Sequence, residues 1–133
     1  MLQELLEDSG LSGRHSDTDY WLYVKAGKNN TIASLFDRNR VLQEIWSGGR
    51  CGVRKAKRGT SDIGFQVIQN LAARVSVRGM RPPQSLHVVF SGFGPGRDAA
   101  FRALRATDWK IAKITDNTPL KFGGCRAPKK RRL

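Results

Sequence analysis

The chain has 133 residues and carries 24 Lys and Arg against 11 Asp and Glu, a net charge of +13. That length supports one domain with a single core, and an apolar content of 39% is too high for disorder throughout. No stretch approaches the roughly eighteen apolar residues of a membrane span. So much like charge disfavours the compact state unless a polyanion relieves it, and nucleic acid is the expected partner.

Residues 1–10, MLQELLEDSG, put Leu2, Leu5 and Leu6 on one helical face, which fits either a short docking helix or a frayed start. The opening resembles neither an Arg-rich transit peptide nor a secretory signal. With the following SGRHSDTD, residues 1–19 are read as an extension and linker. YWLYVKA, from Tyr20, has the aromatic and β-branched residues of a strand. GKNN supplies a turn, and TIASLFD alternates Ile32, Ser34 and Phe36 against Thr31, Ala33 and Leu35. RNR turns the chain into VLQEIWS, a third strand, so residues 20–47 are expected to form an antiparallel meander.

GGRCGVRKAKRG breaks the pattern with a basic loop over 48–59. A helix is predicted from about Ser61, where Ile63, Val67, Leu71 and Val75 recur every four residues and Ile68 and Ala72 widen the stripe. Thr60, Ser61 or Asp62 can cap it, and Gly79 with two prolines ends it. SLHVVFSG is a nearly continuous apolar run, as in a central strand buried on both faces. FGPGRDAAFRALRATD turns into a second helix with Ala100, Phe101 and Leu104 inward, and WKIAKITD is a fifth strand. The order β-β-β-α-β-α-β predicts an α/β domain over 20–116. Its fold is a ribonuclease H-like, mixed five-stranded sheet with two helices packed on its faces. An extended basic C-terminal tail fills 117–133.

Three stretches carry candidate chemistry. The loop at 48–59 holds Arg50, Arg54, Lys55, Lys57 and Arg58 without an acid. It is either a solvated loop or an RNA contact in which glycines let backbone and ligand approach; RNA contact is expected. SGFGPGR, 91–97, leaves a strand and opens a helix, where free N–H groups attract phosphate. It lacks the Lys-Ser/Thr ending of a nucleotide P-loop. It is either a tight turn fixed by Pro95 or a phosphate contact through Gly94 and Gly96 assisted by Arg97. GGCRAPKKRRL, 123–133, holds five bases and no core-forming residue, and is expected to order only against RNA.

Catalysis is not expected. Two-metal hydrolysis needs converging carboxylates, whereas Asp19, Asp37 and Asp116 stand at strand ends. Cys51, Cys125, His15 and His87 are scattered, so neither a zinc site nor any cofactor is expected, and both cysteines are read as reduced thiols. Asn29-Asn30-Thr31 fits a glycosylation pattern but is read as a turn.

KNNTIASLFDR, GFGPGRDAAFRAL, the basic glycine loop and KITDNTPLKFGGCRAPKKRRL together resemble the eleventh protein of the small ribosomal subunit, across residues 20–133. The most specific parts are the GPGR turn and the ITDxTP…GCRxPKKRR ending. The resemblance implies a ribonuclease H-like fold without nuclease activity. It also implies a place on the small-subunit platform, bound to rRNA near the messenger exit and beside other platform proteins. By position it assigns RNA contact to Asn29, Asn30 and Thr31, to Arg54–Arg58, to Gly94–Arg97, and to the tail from Thr118 through Cys125 and Arg126 to Lys129, Lys130, Arg131 and Arg132. The chain departs from bacterial relatives in opening with LQELLED instead of a Lys-rich arm, and in having Gly123 and Ala127 where Asn and Pro are common. The acidic start points to an organellar ribosome, mitochondrial in preference to plastid or bacterial. The competing readings are a protein-interaction adaptor and a free regulatory RNA-binding protein.

Overall fold

The computed structural model describes residues 18–130 and 132. The expected helical face of Leu2, Leu5 and Leu6, His15, and the tail base Arg131 lie outside the described residues. Five strands form one sheet: β1 (Tyr20–Ala26), β2 (Thr31–Asp37), β3 (Leu42–Ser47), β4 (Leu86–Ser91) and β5 (Ile111–Asp116). Two helices join them, α1 (Ser61–Val77) and α2 (Gly96–Ala106). The strand order is β3-β2-β1-β4-β5. β1, β2 and β3 pair antiparallel, while β4 is parallel to β1 and β5 to β4. This is the predicted α/β arrangement, with a mixed sheet and two helices.

Both helices pack on one face of the sheet, where the sequence reading expects helices on its two faces. The crossovers from β3 to β4 and from β4 to β5 step in the same direction, and right-handed connections then put both helices on the same side. On that face Leu22, Val24, Ala33, Leu35, Leu86, Val88 and Phe90 meet Val67, Ile68, Leu71, Ala100, Ala103 and Leu104 in one cluster. The four-residue stripe of α1 is buried from Ile63 to Val75, and β4 is buried along Leu86–Phe90. α1 and α2 approach closely at Gly64, where an added Cβ would lie 2.7 Å from the Cα of Gly96.

Local differences from the sequence reading have local causes. β5 begins at Ile111, because Trp109 turns into the core (8% exposed) and Lys110 donates its N–H to Pro83. β3 begins at Leu42, since Val41 still serves the turn through its carbonyl to Asp37 N–H. Within the basic loop a 3-10 turn forms over Lys55–Gly59, which no hydrophobic period announces. Thr60 precedes α1 without capping it; its hydroxyl donates back to the Lys57 carbonyl at 2.9 Å.

Glu44 is the one buried carboxylate among the described residues. Arg50 stands 2.8 Å from it, Arg78 3.1 Å and Arg74 3.9 Å. Burial pushes its pKa up, but hydrogen bonds from Arg50 and Arg78 outweigh that, and the net direction is down. Because the three arginines are about half exposed, Glu44→Gln is expected to cost between an exposed pair and a fully buried one, about 2 kcal/mol. The folded pKa is depressed, so the contribution is complete above the unfolded value and fades as pH falls through the folded one. Urea unfolding at pH 7 and pH 3 checks this: the gap between wild type and variant narrows at pH 3.

Candidate nucleic-acid interface

β1, β3, β4 and β5 run in one direction, so the segments that follow them emerge at a single end of the sheet. These are the 27–30 turn, the 48–60 loop, the 92–96 turn and the tail. Both helices also start there. The topology therefore gathers all four stretches assigned from the sequence to RNA contact.

The 27–30 turn is their hub. Asn30 Oδ1 accepts from Thr31 N–H at 2.9 Å and from Gly48 N–H at 3.1 Å, which ties the basic loop to the meander. Gly59 backs onto the carbonyl of Lys28, and Gly94 N–H donates to Ala26 at 3.0 Å. Asn30 thus acts internally, and Thr31 is buried beside Gly96. Lys28 and Asn29 are the exposed members of this turn.

The loop's cations divide in two. Arg50 is tied to Glu44 and to the Ile45 carbonyl and lies over the Trp46 ring at 4.7 Å. Arg58 donates to the Val53 carbonyl at 3.0 Å. Arg54, Lys55 and Lys57 are exposed and form no ion pair among the described residues. Lys55 adopts φ +58°, a left-handed conformation that costs a non-glycine residue about 1–2 kcal/mol; such strain gathers at functional sites.

At the GPGR turn, Arg97 is already engaged. It donates to the Gly92 carbonyl at 3.0 Å and to Asp116 Oδ2 at 3.2 Å, and it lies over the rings of Phe93 at 4.7 Å and Phe90 at 5.3 Å. Asp116 in turn accepts from the Thr118 hydroxyl at 2.6 Å and its N–H at 2.9 Å, while the Thr118 hydroxyl accepts from Gly92 N–H at 3.1 Å. The Thr118 hydrogen bonds, with Arg97 assisting, hold the Asp116 carboxyl below its usual range. The cluster fastens the root of the tail to the turn. It also occupies the guanidinium that the sequence reading aimed at a phosphate. The first turns of α1 and α2 carry Asp62 and Asp98, which oppose an anion at either helix start.

Beyond Thr118 the chain is exposed and outside any helix or strand through Lys130, and so is Arg132. Cys125, Arg126, Lys129, Lys130 and Arg132 are all accessible, and Cys51 and Cys125 are free thiols. Lys28 and Phe93 also stand exposed at this end, and neither is among the residues assigned from the sequence. Phe93 is 74% exposed; a large aromatic between two glycines in a basic turn was the available signal. The three carboxylates do not meet. Asp19 and Asp37 line one depression at the start of β1, with Arg38 and Arg81 beside them, while Asp116 stands at the far end of β5, about 20 Å away at strand rise. Among the described residues no three potential ligands gather for a metal ion, and no helix is long and apolar enough to cross a membrane.

Comparison with known proteins agrees with this geometry. The family model described as ribosomal protein S11 matches residues 21–132. The small ribosomal subunit protein uS11c of Fagopyrum esculentum subsp. ancestrale is 43% identical over 114 residues, covering 84% of this chain and 79% of its own. The uS11 protein of Thermosynechococcus vestitus is 39% identical over 111 residues, covering 84% and 83%. The uS11m protein of Schizosaccharomyces pombe is 34% identical over 119 residues, covering 86% of this chain and 53% of its own. With a match that runs from β1 through the basic tail, the chain belongs to the ribosomal protein S11 family.

Proposed function

We propose that this chain is a structural constituent of the small ribosomal subunit that binds rRNA through the cationic end of its sheet, and that it is not an enzyme. The convergence of four segments at that end carries the reading. Exposed bases on coreless loops and a tail neutralise phosphates and respond to RNA shape, while the sheet and helices hold them in register. Within this surface we assign direct contact to Lys28, Asn29, Arg54, Lys55 and Lys57 and to the tail bases Arg126, Lys129, Lys130, Arg131 and Arg132. Asn30, Thr31, Arg50, Arg58, Gly94, Gly96, Arg97 and Thr118 build the surface, and Cys125 lets the tail approach closely. The domain organisation is an extension over 1–19, a body over 20–116 and an RNA-binding tail over 117–133.

The narrower placement is the subunit platform near the messenger exit, beside other ribosomal proteins, in a mitochondrial ribosome. The acidic opening supports the organellar part, and the relatives include plastid, cyanobacterial and mitochondrial forms. Sedimentation tests the function. The tagged chain is expected to travel with small subunits and to leave them only as salt is raised. Migration at the top of the gradient in low salt would favour the adaptor reading, and tracking through cell fractions reports the compartment.

A further inference from the structure

With both helices on one side, the other face of the sheet has no covering layer among the described residues. It is apolar: Trp21, Tyr23, Ile32 and Phe36 are half-buried, Val89 is buried, and Ile45 is 42% exposed. Tyr23 meets Phe36 edge-on at 5.3 Å, and Trp21 covers His87 at 4.2 Å. A depression of about 380 Å³ lies between Tyr23, Ile32, Phe36 and Val89. A contiguous aromatic and aliphatic sheet face normally marks a surface that something else covers.

Its charges are of one sign. Lys25 and Lys113 project from the strands on this face, and Arg40 lies over the Trp21 ring at 4.7 Å. Burial and then the charges of Lys113 and Arg40 hold the His87 imidazole below its usual range, and His87 Nε2 is 2.7 Å from the Thr115 hydroxyl. The registers put no carboxylate of any strand on this side. The fitting occupant combines aliphatic side chains with acids.

Residues 1–17 of the same chain have that chemistry. They contain Leu2, Leu5, Leu6 and Leu11 with Glu4, Glu7, Asp8 and Asp17, and a single Arg. They join the body at Thr18, directly before the strand that supplies Trp21 and Tyr23. Seventeen residues can span roughly 55 Å, ample for strands about 20 Å long. Covalent attachment gives the segment an effective concentration near the millimolar range, an advantage no free partner shares. Rings already stacked on one another and capped by Arg40 suit aliphatic packing better than base stacking, so a polypeptide is favoured over RNA. We infer that residues 1–17 cover the open sheet face, with their leucines on Tyr23, Ile32 and Phe36 and their acids toward Lys25, Arg40 and Lys113.

The test places a photo-crosslinking benzoylphenylalanine at Leu5 in the full chain, free at low concentration and in isolated small subunits. Irradiation is expected to join position 5 to peptides of β1 or β2 within the same molecule in both samples. Ile45→Glu and Lys113→Glu, both at exposed positions that leave the core intact, should each reduce that adduct at least ~tenfold while rRNA affinity stays unchanged. An adduct to rRNA, to a neighbouring protein, to a second copy or to the outer surface of the helices overturns the inference. So does an absent adduct, or one indifferent to both substitutions.

Discussion

Removing residues 121–133 weakens binding to small-subunit rRNA by about two to three orders of magnitude at 0.1 M salt, and flattens its salt dependence. The deletion takes away Lys121, Arg126, Lys129, Lys130, Arg131 and Arg132. If the tail and the 48–59 loop together hold about eight phosphates, the intact chain shows a log–log salt slope of roughly −6 to −7. Losing about five of those contacts brings it to about −2 to −3. Thermal stability of the free protein should not move, because the described residues of the tail beyond Thr118 are all exposed. Filter binding or fluorescence anisotropy from 50 to 400 mM salt measures both quantities. An affinity and slope equal to the intact chain's would assign the tail to something other than rRNA and favour an adaptor.

Single-residue changes within that surface divide by what the structure does with each cation. Arg54, Lys55 and Lys57 are exposed and form no ion pair among the described residues, so each can give up a counterion shell to a phosphate. Arg97 already holds the Gly92 carbonyl and Asp116, whose carboxylate offsets its charge before any phosphate arrives. The sequence assigns the two groups alike, since both are bases in Gly-bearing turns. Only the position of Asp116, nineteen residues downstream of Arg97, separates them.

The elements were legible because their signals are local. The α1 stripe repeats at four-residue spacing, the meander alternates at two, and Gly79 with Pro82 and Pro83 closes the helix. The fold class follows from element order once right-handed crossovers are required. What the chain order could not reveal depends on distant segments meeting. Asn30 bridges to Gly48 across eighteen positions, and Thr31 is buried because Gly96 lies on it. The apolar character of Trp21, Tyr23 and Phe36 was visible as strand propensity, but whether a helix covers them depends on which face both crossovers select. The 3-10 turn at Lys55–Gly59 has no apolar residue to announce it beyond Ala56.

Gly94→Ala tests which of the two readings of the GPGR turn holds. A Cβ at Gly94 would lie 2.1 Å from the carbonyl oxygen of Gly27, 2.6 Å from its carbon and 2.8 Å from the Ala26 oxygen. All three are backbone atoms, so no rotamer change relieves the overlap. The 27–30 turn and the 92–97 turn must separate, and the Gly94 N–H bond to Ala26 at 3.0 Å lengthens or breaks. Overpacking of this kind costs about 3 kcal/mol, which lowers the melting temperature by roughly 10 °C in a chain of this size. Affinity for rRNA falls as well, because the hub that aligns the basic loop with the tail has shifted. Were the glycine needed only for a phosphate to approach, the free variant would melt like the parent and lose affinity alone. Melting curves of the isolated protein therefore decide the matter before any RNA is added, and a lowered midpoint makes Gly94 a packing residue on which the interface is built.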